Sequence, residues 1–147
     1  MSTSKTPRGR ILGLDVGTRR IGVAVSDPLG ITAQRLTIIE RRSAQADVDA
    51  VAALAAQQHA EAVVVGLPLT MQGTQGDQAN QVMVFVEALR AQLSCPVQTV
   101  DERLTTVQGE RALLETDTSR RRRKRVIDQV AAQLILQTYL ETHHANP

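Results

Sequence analysis

The sequence predicts an α/β fold, a five-stranded mixed sheet with three antiparallel strands followed by two parallel ones and helices on its faces. Three observations carry this. Short branched-chain runs crowd the first part of the chain, with only turn-like spacers between them. A continuous apolar run, residues 61–68 "EAVVVGLP", follows a stretch of helical periodicity. A further strand-like run, residues 95–103 "CPVQTVDER", is reached through a second helical stretch. A tight antiparallel triple followed by crossover units closes into one mixed sheet.

The elements follow in order. Residues 11–16, 21–26 and 31–39 read as strands, separated by "GTRR" and "DPLG", whose glycines and proline sit at turn positions. Joined this tightly, they form a meander. From Ser43, a helix N-cap by residue type, alanine and leucine recur at helical spacing through "SAQADVDAVAALAAQQHAE". The run at 61–68 suits a strand buried on both faces, stopped by Gly66 and Pro68. Residues 70–77, "TMQGTQGD", are a glycine-bearing loop. Val82, Phe85, Val86 and Leu89 mark a helix over 78–93, and residues 105–114 a shorter one. The last helix, over 126–141, buries Ile127, Val130, Ala131, Leu134 and Ile135. Right-handed crossovers set the fourth strand parallel to the first, and ligands gather beyond its C-terminal edge.

With 147 residues, 42% of them hydrophobic, the chain suits one domain with a real core. Its expected limits are residues 9–142, between an N-terminal tail (1–8) that is disordered and a C-terminal tail (143–147). No run approaches the length of a membrane span, and the N-terminus has no signal-peptide core. Cys95 is the single cysteine, which excludes an internal disulfide and a cysteine-based zinc cluster and points to a cytoplasmic protein. Net charge is only +2, yet Arg120, Arg121, Arg122, Arg123, Lys124 and Arg125 stand in a row. Such density suggests a polyanion, usually nucleic acid, against the alternative of a basic solvated loop. With Phe85 and Tyr139 the only aromatics, nothing supports a base-stacking platform. A nucleic acid would be held by phosphate and shape.

Acids supply the chemistry. Asp15 lies inside an apolar strand run, where a carboxylate is costly without a partner. Asp101 and Glu102 end the last strand, and spacing leaves open which of them faces the site. Asp128 shares a helix face with Ala131, Ala132 and Ile135, small residues that permit close approach to the sheet. Converging carboxylates repel unless a cation lies between them, and Mg²⁺ or Mn²⁺ suit oxygen ligands. Asp15, Asp101, Glu102 and Asp128 are therefore metal-ligand candidates, with Asp15, Glu102 and Asp128 the catalytic set. Thr18, Arg19 and Arg20 in the turn beside Asp15, and Arg103 after the acid pair, are phosphate-contact candidates. His59, His143 and His144 show no ligand spacing with the acids.

Four blocks, "LDVGTRRIGVAVSD", "VVVGLPLTMQGT", "VDERLTT" and "KRVIDQVAAQLILQTYL", together resemble the YqgF/RuvX family of bacterial proteins. The resemblance spans about residues 11–140. It implies a ribonuclease H-like fold related to Holliday junction resolvases. It also implies a metal-dependent endonuclease on structured nucleic acid, either maturing the 5′ end of pre-16S rRNA or resolving four-way DNA junctions. Residue by residue, the family's acids match Asp15, Glu102 or its neighbour Asp101, and Asp128. Ribonuclease H relatives often carry an acid at the end of the fourth strand; here Gly66-Leu67-Pro68 stands there, so the acids of the fifth strand must substitute. A resolvase would act as a homodimer on a two-fold-symmetric junction, whereas trimming an RNA end needs one site. Two alternatives compete. A non-catalytic RNA-binding ribosome-assembly factor would keep the basic run, but three clustered carboxylates repel phosphate. An ATP-binding protein of the actin-like type shares "GLDVGT" but needs a second domain to enclose its nucleotide.

Overall fold

The computed structural model describes residues 9–105 and 120–144, the side chains of residues 120–129 and 144 excepted. Five strands form one sheet: β1 (Arg10–Val16), β2 (Arg20–Ser26), β3 (Ala33–Glu40), β4 (Ala60–Leu67) and β5 (Val97–Asp101), in the spatial order β3-β2-β1-β4-β5. β1–β2 and β2–β3 are antiparallel, β1–β4 and β4–β5 parallel. The expected mixed sheet and its topology are therefore present. Residues 106–114 of the expected helix fall outside the described residues, as do residues 1–8 and 145–147, whereas His143 and His144, expected in the C-terminal tail, are the last residues of the final helix.

Strand alternation divides the core. Leu12, Leu14 and Val16 of β1 face one side, packing with Val48 and Val51 of α1 (Ala44–Gln57) and with Val82, Phe85, Val86 and Leu89 of α2 (Asp77–Gln92). The other side is covered by α3 (Arg120–His144), through Ala131, Ala132, Ile135, Leu136, Tyr139 and Leu140. Gly13 and Asp15 lie on this second face, because successive strand residues point opposite ways.

Several boundaries differ from expectation. β3 starts at Ala33 rather than at 31, since the Asp27 carboxylate accepts Ile31 N at 2.9 Å and Thr32 Oγ1 at 3.1 Å and holds both in the preceding turn. Gly66 does not stop β4; it pairs with Val100 inside the ladder. Ser43 does cap α1, its hydroxyl accepting Ala46 N at 3.1 Å. The basic run is not a loop before the last helix but the first turns of α3 itself. Arginine and lysine are good helix formers, so the helix extends past the point where its apolar pattern begins. Its buried stripe is also rotated. Ala132 and Leu136 are fully buried while Val130 and Leu134 lie at its margin.

Glycine explains that rotation. A β-carbon on Gly13 would stand 2.6 Å from Leu136 Cβ and 3.1 Å from Ala132 O, so α3 rests almost backbone-to-backbone on β1. Gln133 and Gln137 then clasp the start of β3, donating to Ala33 O at 3.0 Å and Ile31 O at 3.3 Å, while Gln137 Oε1 accepts Ala33 N at 3.0 Å. Among the described residues, no helix is long and apolar enough to cross a membrane.

Candidate active site

Asp15 is the penultimate residue of β1 and is only 2% exposed. Leu14 pairs with Val65 of β4, so Asp15 stands one step further on, level with Gly66 in the parallel register. From the other side of Gly66 comes Glu102, 3% exposed, the first residue of a short 3-10 turn (Glu102–Leu104) that follows β5. A β-carbon on Gly66 would overlap Ile135 Cδ1 and stand 2.9 Å from Glu102 Oε2. The Glu102 carboxylate thus takes the room that a side chain on β4 would fill. β4 lies between β1 and β5, with neighbouring strands about 4.8 Å apart, so Asp15 and Glu102 flank Gly66 on the α3-facing surface.

Asp101 behaves differently. Its carboxylate accepts Arg103 N at 2.9 Å, capping the 3-10 turn, and pairs with the Arg103 guanidinium at 2.7 Å. Arg103 holds it below the usual carboxylate range, first through side-chain hydrogen bonds and then through the backbone and charge. The Arg103 guanidinium also lies over Gly73, and its Nη1 donates to Met71 O at 3.4 Å. The loop there closes on itself through Thr70 N to Thr74 O at 2.9 Å.

In the β1–β2 turn, Thr18 and Arg19 are exposed, whereas Arg20 pairs with Glu40 at 3.2 Å. The side chains of Asp128 and of Arg120 to Arg125 lie outside the described residues. The backbone of α3 nonetheless carries position 128 one turn before Ala132 and two before Ile135, about 6 Å and 10 Å along the axis. Those two residues lie in the buried stripe, so position 128 continues the sheet-facing side of the helix.

A family model described as "RuvX: Holliday junction resolvase" matches residues 9–142. The chain belongs to the RuvX family. A Moorella thermoacetica protein named "Putative pre-16S rRNA nuclease" is 57% identical over 132 residues, covering 90% of this chain and 94% of the relative. A Myxococcus xanthus protein of the same name is 51% identical over 134 residues, covering 91% and 89%. Among solved structures, RuvC from T. thermophilus in complex with a Holliday junction substrate matches with a TM-score of 0.61 at 12% identity, covering 95% of this chain and 98% of that one. At that identity the likeness establishes the ribonuclease H-like fold.

In the RuvX chain the sequence leaves Asp101 level with Glu102, whereas the structure gives Asp101 to Arg103 and turns Glu102 toward Gly66. Sequence reasoning missed Gly13 and Gly66 as contact points for α3. The only signal for either was a glycine inside a strand, which often marks close backbone approach. Asp47, 2% exposed, was missed as well; within an alanine-rich helix it reads as a solvated residue of the first turn.

The division between the two acids gives a direct expectation. Asp101→Asn keeps a capping oxygen and retains cleavage within about tenfold of wild type, because loss of a cap costs about 1 kcal/mol. Glu102→Gln loses cleavage in the same assay; the reverse order would make Asp101 the functional acid. The Asp101–Arg103 contact is fully present above the ordinary aspartate value of about 3.9. It is lost as pH falls through the lowered folded value. An NMR titration of the Arg103 amide at successively lower pH should register that loss in wild type but not in Asp101→Asn.

Proposed function

We propose that this RuvX protein is a cytoplasmic, divalent-metal-dependent endonuclease that hydrolyses phosphodiester bonds in structured RNA, with the 5′ end of pre-16S rRNA as its substrate. One observation carries the reading: Asp15 and Glu102 are buried together on the α3-facing side of the sheet, in room that Gly66 leaves open. Two buried acids placed on either side of Gly66 of β4 are expensive to keep and form a hard-oxygen donor set of the kind Mg²⁺ or Mn²⁺ takes. Asp15 and Glu102 would hold the ion together with Asp128 from α3. When bound, the ion supplies charge neutralisation at the phosphate and a more acidic water. Glu102 orients the attacking water and accepts its proton. Thr18 and Arg19 hold the nucleic-acid backbone beside Asp15. The names of the relatives at 57% and 51% identity favour RNA. The family description favours a second reading, two-fold cleavage of a DNA junction by a homodimer.

The test is a parallel cleavage assay with Mg²⁺ or Mn²⁺ on a pre-16S rRNA fragment, a synthetic four-way junction and linear duplex DNA. Wild type runs against an Asp15→Asn, Asp128→Asn double variant. Selective RNA cutting that the variant lacks supports the proposal, and symmetric junction nicking supports the second reading. Binding of every substrate without cutting overturns both.

The basic run belongs to the same proposal. Six consecutive helical residues point all round an axis at about 100° each, so positions 121, 124 and 125 share the face of position 128 and positions 120, 122 and 123 do not. Replacing either trio with alanine removes three charges and should shallow the salt dependence of duplex binding by up to about 0.9 per lost phosphate contact. Only the Arg121, Lys124, Arg125 trio should also lower the single-turnover rate at saturating substrate. Equal rates for both trios would show that the run grips the backbone without touching the reaction.

A further inference from the structure

We propose that Arg41 and Asp47 are positioning residues that set the β1–β2 turn for the substrate backbone, an inference that rests on the nuclease reading above. The turn leaves the sheet directly after Asp15 and Val16, and its own closure is a single bond, Gly17 N to Arg20 O at 2.8 Å. Arg41, just past the end of β3, takes hold of it twice. Its Nη1 donates to Gly17 O at 2.8 Å and its backbone N to Arg19 O at 2.9 Å.

The guanidinium that does this is itself held on two further sides. Nε donates to Asp47 Oδ2 at 3.0 Å, and the Phe85 ring of α2 lies 5.4 Å below the guanidinium carbon. Asp47 is buried on α1, and its second oxygen accepts Arg42 N at 3.0 Å. One side chain therefore ties the turn to both helices on the sheet face opposite α3.

Stability alone is a weak reason for such a pair, since well-packed apolar residues replace buried ion pairs with little loss. An apolar pair would not donate to Gly17 O. With the Gly17 and Arg19 carbonyls drawn inward, the exposed Thr18 and Arg19 side chains are left on the solvent side of a fixed turn, next to Asp15. Arg20 is occupied by Glu40, so Arg19 is the cation this turn can offer to a phosphate. The planar fork of arginine is required, because lysine has one nitrogen and cannot reach Asp47 and Gly17 O together.

The experiment is a double-mutant cycle between Arg41→Lys, which conserves charge, and Arg19→Ala, read as the dissociation constant for a duplex in EDTA and as KM and kcat with Mg²⁺. In wild type, Arg19→Ala should weaken binding by about tenfold, and in the Arg41→Lys background it should cost little more, a coupling typical of residues in one network. Arg41→Lys alone should raise KM and leave kcat nearly unchanged. Asp47→Asn should reproduce the lost coupling, and it serves in place of Arg41→Lys if that variant does not fold. Additive effects of Arg41→Lys and Arg19→Ala, with only the melting temperature lowered, would overturn the positioning role and make the pair purely structural. Failure of wild type to cut any of the substrates with Mg²⁺ or Mn²⁺ would instead overturn the nuclease reading, whatever the cycle gives.

Discussion

Asp15→Asn should abolish cleavage, by about a thousandfold or more, while the protein stays folded. A loss of that size corresponds to about 4 kcal/mol of transition-state stabilisation, which is what removing a charged ligand from a buried site should cost. Asparagine matches aspartate in volume, so the packing between β1 and α3 is kept and no cavity opens. What changes is charge. At 2% exposure the Asp15 carboxylate has little water to stabilise it, and Glu102 lies on the same patch. Neutralising one member of such a pair relieves repulsion, so thermal unfolding in metal-free buffer should show no loss beyond about 1 kcal/mol. Calorimetric titration with Mn²⁺ provides the second readout. Wild type should bind and Asp15→Asn should bind at least tenfold more weakly, an effect independent of turnover. Cleavage by the variant at the wild-type rate would remove Asp15 from the chemistry.

The sheet was legible in the sequence because its signals are local. Branched-chain runs, turn glycines and the apolar 61–68 stretch each announce a strand without reference to the rest of the chain. Asp15 was legible for a related reason, since an acid in an apolar run contradicts its surroundings. What escaped depends on contacts between distant residues. The start of β3 was set by an Asp27 side chain reaching four and five residues ahead, a competition that strand propensity does not express. The choice between Asp101 and Glu102 turned on the chain leaving β5 at Asp101 and entering a 3-10 turn, which buries Glu102 and leaves Asp101 to Arg103. The tie from Arg41 to Asp47 and Gly17 joins three segments, and no spacing rule would find it. The onset of α3 was missed because the apolar pattern begins at Val126, whereas arginine supports a helix without any pattern.

Gly66→Ala should damage catalysis well beyond its effect on stability. One added carbon meets two groups of different character. Ile135 Cδ1 is the far end of a flexible side chain, which can rotate aside at the modest cost of overpacking, about 1–3 kcal/mol. Alanine is also preferred over glycine inside a strand by about 0.5–1 kcal/mol, so the net destabilisation should be about 1–2 kcal/mol. Glu102 Oε2, however, stands 2.9 Å from the new carbon and has to retreat. A catalytic group displaced by about 1 Å costs on the order of a hundredfold in rate. Cleavage should therefore fall about a hundredfold at a temperature where the variant is fully folded. Gly13→Ala offers the contrast. Its new carbon presses on Leu136 Cβ and on the Ala132 carbonyl, so it must push α3 away bodily, and stability should fall further than in Gly66→Ala. The decisive variant is Gly66→Ala combined with Glu102→Asp. Shortening the acid by one methylene returns the space that alanine takes, so the pair should recover at least tenfold of the rate lost by Gly66→Ala alone, a positive coupling between touching residues. If Gly66→Ala cleaves as well as wild type, the Glu102 carboxylate has no part in the reaction, and the acid of the last strand must be sought at Asp101.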